Sequence, residues 1–144
     1  MNVLKLPFNE YIGLAESTDS EYMLMLQNDE KYLNHLNTVH ASALFALAEA
    51  TSGLFLLEEF KDLTDIMPVV RKVETKYKKP AQGKVFSKAF FLNTDKEKVT
   101  EELNTKRRTL LTVQVLLFDI SGNIVMQSDF EWFIAKTDKI LRKP

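Results

Sequence analysis

A single glutamate interrupts the longest apolar stretch of this chain. The stretch runs from Ala41 to Leu57, and Glu49 is its one charged residue, nine positions after His40. A helix that is apolar nearly all round is normally buried. A buried carboxylate is costly unless paired or hydrogen-bonded, and burial displaces its pKa. Such a group can take a proton from water or attack an electrophilic carbon itself, and perturbed carboxylates gather at functional sites. His40 has two readings of similar weight, a ring that serves that chemistry or a loop histidine that caps the helix. Glu49 has a plain reading too, in which it reaches solvent or pairs with a lysine. His35 and His40 share no helical face and no carboxylate cluster joins them, so no metal site is expected. Ser42 and Ser52 read as packing residues, since no His–Asp pairing lies near them in sequence. The chain has no cysteine, which excludes disulfides, thiolate metal sites and cysteine nucleophiles.

The elements that must position these residues follow from periodicity. Pro7 to Glu16 predicts a short helix with Phe8, Ile12 and Leu14 on one side. Glu21 to Asn28 alternates as a strand. Asp29 to Val39 is polar and asparagine-rich and reads as a loop. The apolar run then forms a helix to about Phe60. Met67 to Lys79 predicts a strand with Val69, Val73, Thr75 and Tyr77 on one face and Lys72, Glu74, Lys76 and Lys78 on a wet one. After the turn Pro80 to Gly83, Lys84 to Leu92 is a phenylalanine-rich strand. Phe86, Phe90, Phe91, Phe118 and Phe130 read chiefly as core, some of them able to line a pocket. Thr94 is placed to cap a charged helix through Asp95 to Leu103. Arg107 to Ile120 and Ile124 to Ala135 are long strands joined by a hairpin turn at Asp119 to Asn123. The fold class expected is α+β, an antiparallel β-sheet wrapped around one long central helix.

At 144 residues the chain is expected to be one domain, residues 1–144. With 19 basic and 20 acidic residues there is no net pull toward nucleic acid or an anionic membrane. Glu49, Thr51 and Ser52 break the apolar run, so no membrane span is expected. The N-terminus has no long apolar segment of the secretory kind. A cytoplasmic protein is expected.

The segment Asn34-His35-Leu36-Asn37-Thr38-Val39-His40-Ala41-Ser42-Ala43-Leu44-Phe45-Ala46-Leu47-Ala48-Glu49 resembles the signature of the hotdog-fold acyl-CoA thioesterases. It is most similar to their phenylacetate-pathway and 4-hydroxybenzoyl-CoA groups. That pattern has an amide residue, a histidine six positions on, a small residue opening the helix, and an acid nine positions after the histidine. Here these are Asn34, His40, Ala41 and Glu49, and the strand–helix–four-strand order matches along nearly the whole chain. Three positions depart from the pattern. Ala41 stands where glycine is usual, Gly53 stands where a polar residue often follows the acid (Thr51 or Ser52 could substitute), and a serine found in some members has no counterpart.

The resemblance implies a thioester hydrolase with Glu49 as base or nucleophile, the Ala41 N–H polarising the thioester carbonyl, and Asn34 and His40 assisting. It implies a site shared across a homodimer, alone or as a dimer of dimers, with Asn34, His40 and Ala41 of one subunit facing Glu49 of the other. No cofactor is implied beyond the coenzyme A of the substrate. Ser52, Gly53, Lys76 and Lys78 are the substrate-binding candidates. Lys79, Arg107 and Arg108 are further cations for the coenzyme A phosphates, though for most of these five cations, Lys76 and Lys78 included, an ordinary solvated face is the favoured reading. Two rivals stand beside this reading: a non-catalytic hotdog domain that binds acyl-CoA or a fatty acyl ligand, and a hotdog dehydratase.

Overall fold

The computed structural model describes residues 1–137. Its strands are β1 (Ala15–Glu16), β2 (Leu24–Leu26), β3 (Ile66–Tyr77), β4 (Val85–Leu92), β5 (Arg108–Phe118) and β6 (Ile124–Lys136). All pair antiparallel in one six-stranded sheet of order β1-β2-β4-β5-β6-β3. The helices are α1 (Pro7–Ile12), α2 (Ala41–Glu59) and α3 (Lys96–Thr105). Helix α2 packs across β2, β4, β5 and β6, so the sheet wraps one central helix in the hotdog arrangement. Its 19 residues and mean hydropathy of 1.3 would also span a membrane by length and composition. Here Leu44, Leu47, Ala48, Ala50 and Leu56 are buried in the core with Phe130, Val113 and Leu117 from the sheet.

The sheet positions β3 at its edge. β6 covers one side of that strand along its full length, from Ile66 opposite Lys136 to Tyr77 opposite Met126. No described strand covers the other side. The register slips between Val70 and Lys72, making Arg71 a bulge residue. The bulge reverses the alternation, so Val70 and Val73 turn inward while Val69 is 48% exposed. The expected common face of Val69 and Val73 is therefore split.

Other differences have equally local causes. α1 ends at Ile12 because Gly13 takes φ 77°, a left-handed conformation that glycine adopts without steric cost. The remainder of the expected helix becomes β1. All three residues of β2 are buried, so no wet face accompanies its alternation. α3 is capped by Asp95, whose carboxylate accepts from the Lys98 N–H at 3.1 Å. Thr94, expected in that role, donates instead to the carbonyl of Leu92 at 2.9 Å. In β4 the inward positions belong to Val85, Ser87 and Ala89. Phe90 consequently points outward, and Phe86 and Phe118 stack on Tyr22 with centroids 5.1 and 5.4 Å away. Phe130 and Phe91 meet the expectation, packing on Phe45 and Phe55 of α2.

Candidate active site

The loop that delivers α2 is tied to itself before the helix begins. Leu33 and Val39 form an isolated antiparallel bridge. Within it the Asn34 side-chain oxygen accepts from the Leu36 and Thr38 N–H groups at 2.9 and 3.2 Å. Its amide donates to the Thr38 hydroxyl at 3.0 Å. Asn34 is thus engaged in shaping the loop. His40 N–H donates to the Tyr32 carbonyl at 2.7 Å, and Val39 N–H to that of Ala81 at 2.8 Å.

His40 is the N-cap of α2. Its backbone is extended at φ −61° and ψ 138°, and its Nδ1 accepts from the Ser42 N–H at 3.0 Å. In the neutral ring the proton therefore sits on Nε2, and the ring's outer edge is exposed. Removing a side-chain cap costs about 1 kcal/mol, which lowers the melting temperature of a chain of this size by about 2–4 °C. His40→Ala is expected to show that shift in a thermal unfolding scan, and an unchanged midpoint would refute the capping role.

Ala41 is the first residue of α2 and is exposed. Its N–H donates to no acceptor among the described residues. Tyr77, at the end of β3, approaches the Ala41 carbonyl with its hydroxyl at 3.4 Å. Lys76 and Lys78, both exposed, flank Tyr77 in sequence, so they stand at the same end of the molecule as the start of α2.

Glu49 lies two turns further along α2 in a different setting. It borders a cleft of about 370 Å³ between α2, β3, β6 and the N-terminal segment. Gly53 and Leu57 continue the helix side of this cleft, Pro68 and Val70 form the β3 side, Trp132 comes from β6, and Val3, Leu6 and Asn9 close it. The N-terminal wall is held in place by the Asn9 amide, which donates to the Val3 carbonyl at 3.0 Å. Among the described residues Glu49 has no ion pair or side-chain hydrogen bond. Burial without compensation pushes its pKa above the ordinary carboxylate range. Of the plain reading, in which Glu49 reaches solvent or pairs with a lysine, the pairing is not found among the described residues, and the side chain is half-buried.

The remaining candidates separate. Gly53 shares the cleft with Glu49. Ser52 is fully buried and donates its hydroxyl to the Glu49 carbonyl at 2.8 Å, so it does not line the cleft. Thr51 also faces the core, 2.7 Å from both the Leu47 carbonyl and the Ser87 hydroxyl. No group of three or more histidine or acidic residues that could hold a metal occurs among the described residues. Nothing in the alternation marks Trp132 as a cleft residue, since it reads there only as an inward residue of its strand. Nor did anything mark Val3, Leu6 and Asn9 as a wall.

Glu49 and Ala41 are eight residues apart on one helix, about 12 Å at 1.5 Å per residue. One chain therefore cannot bring its own carboxylate and its own Ala41 N–H to the same small group.

The sequence matches the family described as Domain of unknown function (DUF4442) over residues 14–134. No curated protein matches it. Among solved structures, a Pseudomonas aeruginosa protein of unknown function described as a "probable thioesterase" superposes with a TM-score of 0.78. It is 24% identical, over 93% of this chain and 91% of that one. A Haemophilus influenzae thioesterase gives a TM-score of 0.70 at 15% identity, over 93% of this chain and 86% of that one. A Bacillus halodurans protein solved with CoA gives 0.59 at 17% identity, over 77% of this chain and 65% of that one. These likenesses establish the fold.

Proposed function

The chain belongs to the DUF4442 family, and we propose that it is a thioester hydrolase acting on a fatty or aromatic acyl-CoA. The observation that carries this reading is Glu49, a carboxylate without an ion-pair partner among the described residues, set in a largely apolar cleft on the central helix. In the proposed reaction Glu49 takes a proton from water as the oxygen adds to the thioester carbon, or adds there itself to form an acyl-glutamate anhydride that a water molecule hydrolyses after the thiol has left, releasing the acid and restoring the carboxylate. The carbonyl oxygen becomes negative and is met by the Ala41 N–H at the positive end of α2. The C–S bond then breaks, and the thiol leaves with a proton. His40 and Asn34 act on this N–H from behind, one as cap and the other as builder of the loop. Lys76 and Lys78 offer charge to the phosphates of coenzyme A, a ligand suggested by the neighbour solved with it.

The 12 Å between the two halves is the argument for a homodimer. Among the described residues no strand pairs with the outer edge of β3 along its 12 residues, and a long free edge is a template for pairing. Two copies joined antiparallel about Val73 of β3 would set Tyr77 of one opposite Val69 of the other. Ala41 of the first would then approach Glu49 of the second.

The test is free-thiol release from short, medium, long and aromatic acyl-CoAs. The protein contributes no thiol background because it has no cysteine. Release is expected with at least one substrate class, and none with any class would sink the hydrolase reading. A second reading, a module that binds acyl-CoA without cleaving it, draws on Asn34 and His40, whose side chains are engaged in loop and cap. Tight acyl-CoA binding without thiol release would favour it.

A further inference from the structure

Trp132 lines the same cleft as Glu49, and its indole Nε1–H is a buried donor with no acceptor among the described residues. The side chain is only 6% exposed, so solvent does not take the partner's place. Buried polar groups are nearly always hydrogen-bonded, because a donor left unmade keeps its full desolvation cost. The ring is also held where it is. Val70 of β3 and Leu111 of β5 stand opposite Trp132 on the neighbouring strands. Helix α2 closes on its six-membered edge, since a Cβ on Gly53 would already lie 3.7 and 3.8 Å from two of its carbons, ordinary van der Waals contact.

Glu49 and Asn9 are the cleft side chains that carry oxygen, and neither accepts from the indole. A phenylalanine would fill the same inward position with no bond left unmade, so what tryptophan adds to this cleft is a donor. An N–H calls for an acceptor, and the surroundings make that acceptor neutral. The Glu49 carboxylate shares the cleft, and the rest of the lining is largely aliphatic, so a second anion would be both desolvated and repelled. Gly53, the helix residue beside the indole, is four residues from Glu49, about 6 Å along α2 at 1.5 Å per residue. An acceptor at Trp132 and a thioester carbon presented to Glu49 are therefore a few bonds apart.

We infer that the Trp132 Nε1–H receives a neutral keto or hydroxyl oxygen carried on the acyl chain a few bonds from the thioester, and that the site thereby prefers an oxygenated chain to the plain hydrocarbon one. This inference rests on the hydrolase reading of Glu49 and names its substrate class.

Trp132 is the chain's single tryptophan, so one indole N–H resonance of isotope-labelled protein reports its bonding independently of catalysis. The amide 3-oxohexanamide, whose keto oxygen can only accept, is expected to move that resonance downfield saturably, and hexanamide at equal concentration is not. In thiol release, kcat/KM for 3-oxohexanoyl-CoA should exceed that for hexanoyl-CoA at least about tenfold, because a site built to hydrogen-bond a substrate group discriminates against the analogue lacking it. Biosynthetic replacement of the tryptophan by its benzothiophene analogue puts sulfur where the N–H was and keeps the shape of the ring. In that protein the preference should shrink to within about twofold. A selective shift of the resonance, without hydrolysis of any acyl-CoA, would overturn the hydrolase reading and keep Trp132 as the seat of the acceptor. Hydrolysis by wild type with both chains equally good, and the resonance unmoved by 3-oxohexanamide, would overturn the role of Trp132. A preference that survives in the benzothiophene protein would overturn it too.

Discussion

Ala41→Pro is expected to slow thioester hydrolysis about 10²–10³-fold, the usual consequence of removing one donor from a developing oxyanion, with little loss of stability. Proline is favoured at the first position of a helix, where its missing N–H leaves no intrahelical bond unmade. Ala41 holds that position in α2. A residue before proline must be extended, and His40 already is, at φ −61° and ψ 138°. The Ala41 N–H bonds to nothing among the described residues, so its loss should register in catalysis alone. A kcat within threefold of wild type, with the melting temperature unchanged, would remove Ala41 from the mechanism.

Glu49→Gln should reduce kcat by about 10²–10⁴, the range associated with a positioned acid or base, and at the same time stabilise the fold at neutral pH. The second effect follows from burial. Burial in the folded state raises the pKa of Glu49 above its ordinary value, so over the interval between unfolded and folded values the folded chain binds more protons. Stability then falls as pH rises across that interval. The full stability is present below the unfolded pKa and is lost once pH passes the folded one. Glutamine cannot ionise and escapes this loss. The melting temperature of Glu49→Gln minus that of wild type should therefore be smallest near pH 4 and should grow to a plateau above the folded pKa of Glu49. For the same reason, the acid limb of kcat/KM in wild type should lie above the ordinary carboxylate range. A difference in melting temperature that does not change with pH would show Glu49 to be solvated in the folded state.

Much of this was legible in the residues themselves. The bounds of α2 were visible within one residue because an apolar run with a clear start and stop needs no tertiary information. β5, β6 and their hairpin were visible because a β-branched and leucine-rich run, a clean alternation and a turn at Asp119 to Asn123 are local signals. Glu49 stood out because a charge in such a run must be explained. Other features depend on the folded whole. The bulge at Arg71 splits Val69 from Val73, and no sequence period announces a slipped register. Gly13, which stops α1, was not recognised as a left-handed terminator. Asp95 and Thr94 are adjacent and both can cap, and only the approach of the chain from β4 decides between them. His40 carried two readings until the 3.0 Å bond from Ser42 N–H assigned its Nδ1 to the cap. The cleft was the least legible part, because it joins Val3, Glu49, Val70 and Trp132 from four separate segments.

If one copy's Glu49 works with the other's Ala41, mixing two disabled proteins restores activity. Glu49→Gln and Ala41→Pro are each nearly inactive alone under this account. In a twofold dimer, subunit exchange between them creates mixed pairs in which one of the two sites has both its glutamate and its N–H. With random exchange, half the dimers are mixed and activity should return to about a quarter of wild type. The predicted result is that recovery in acyl-CoA thiol release, following the rate of subunit exchange. Two active-site variants that stay silent after verified exchange, while wild type hydrolyses the same substrate, would contradict a shared site.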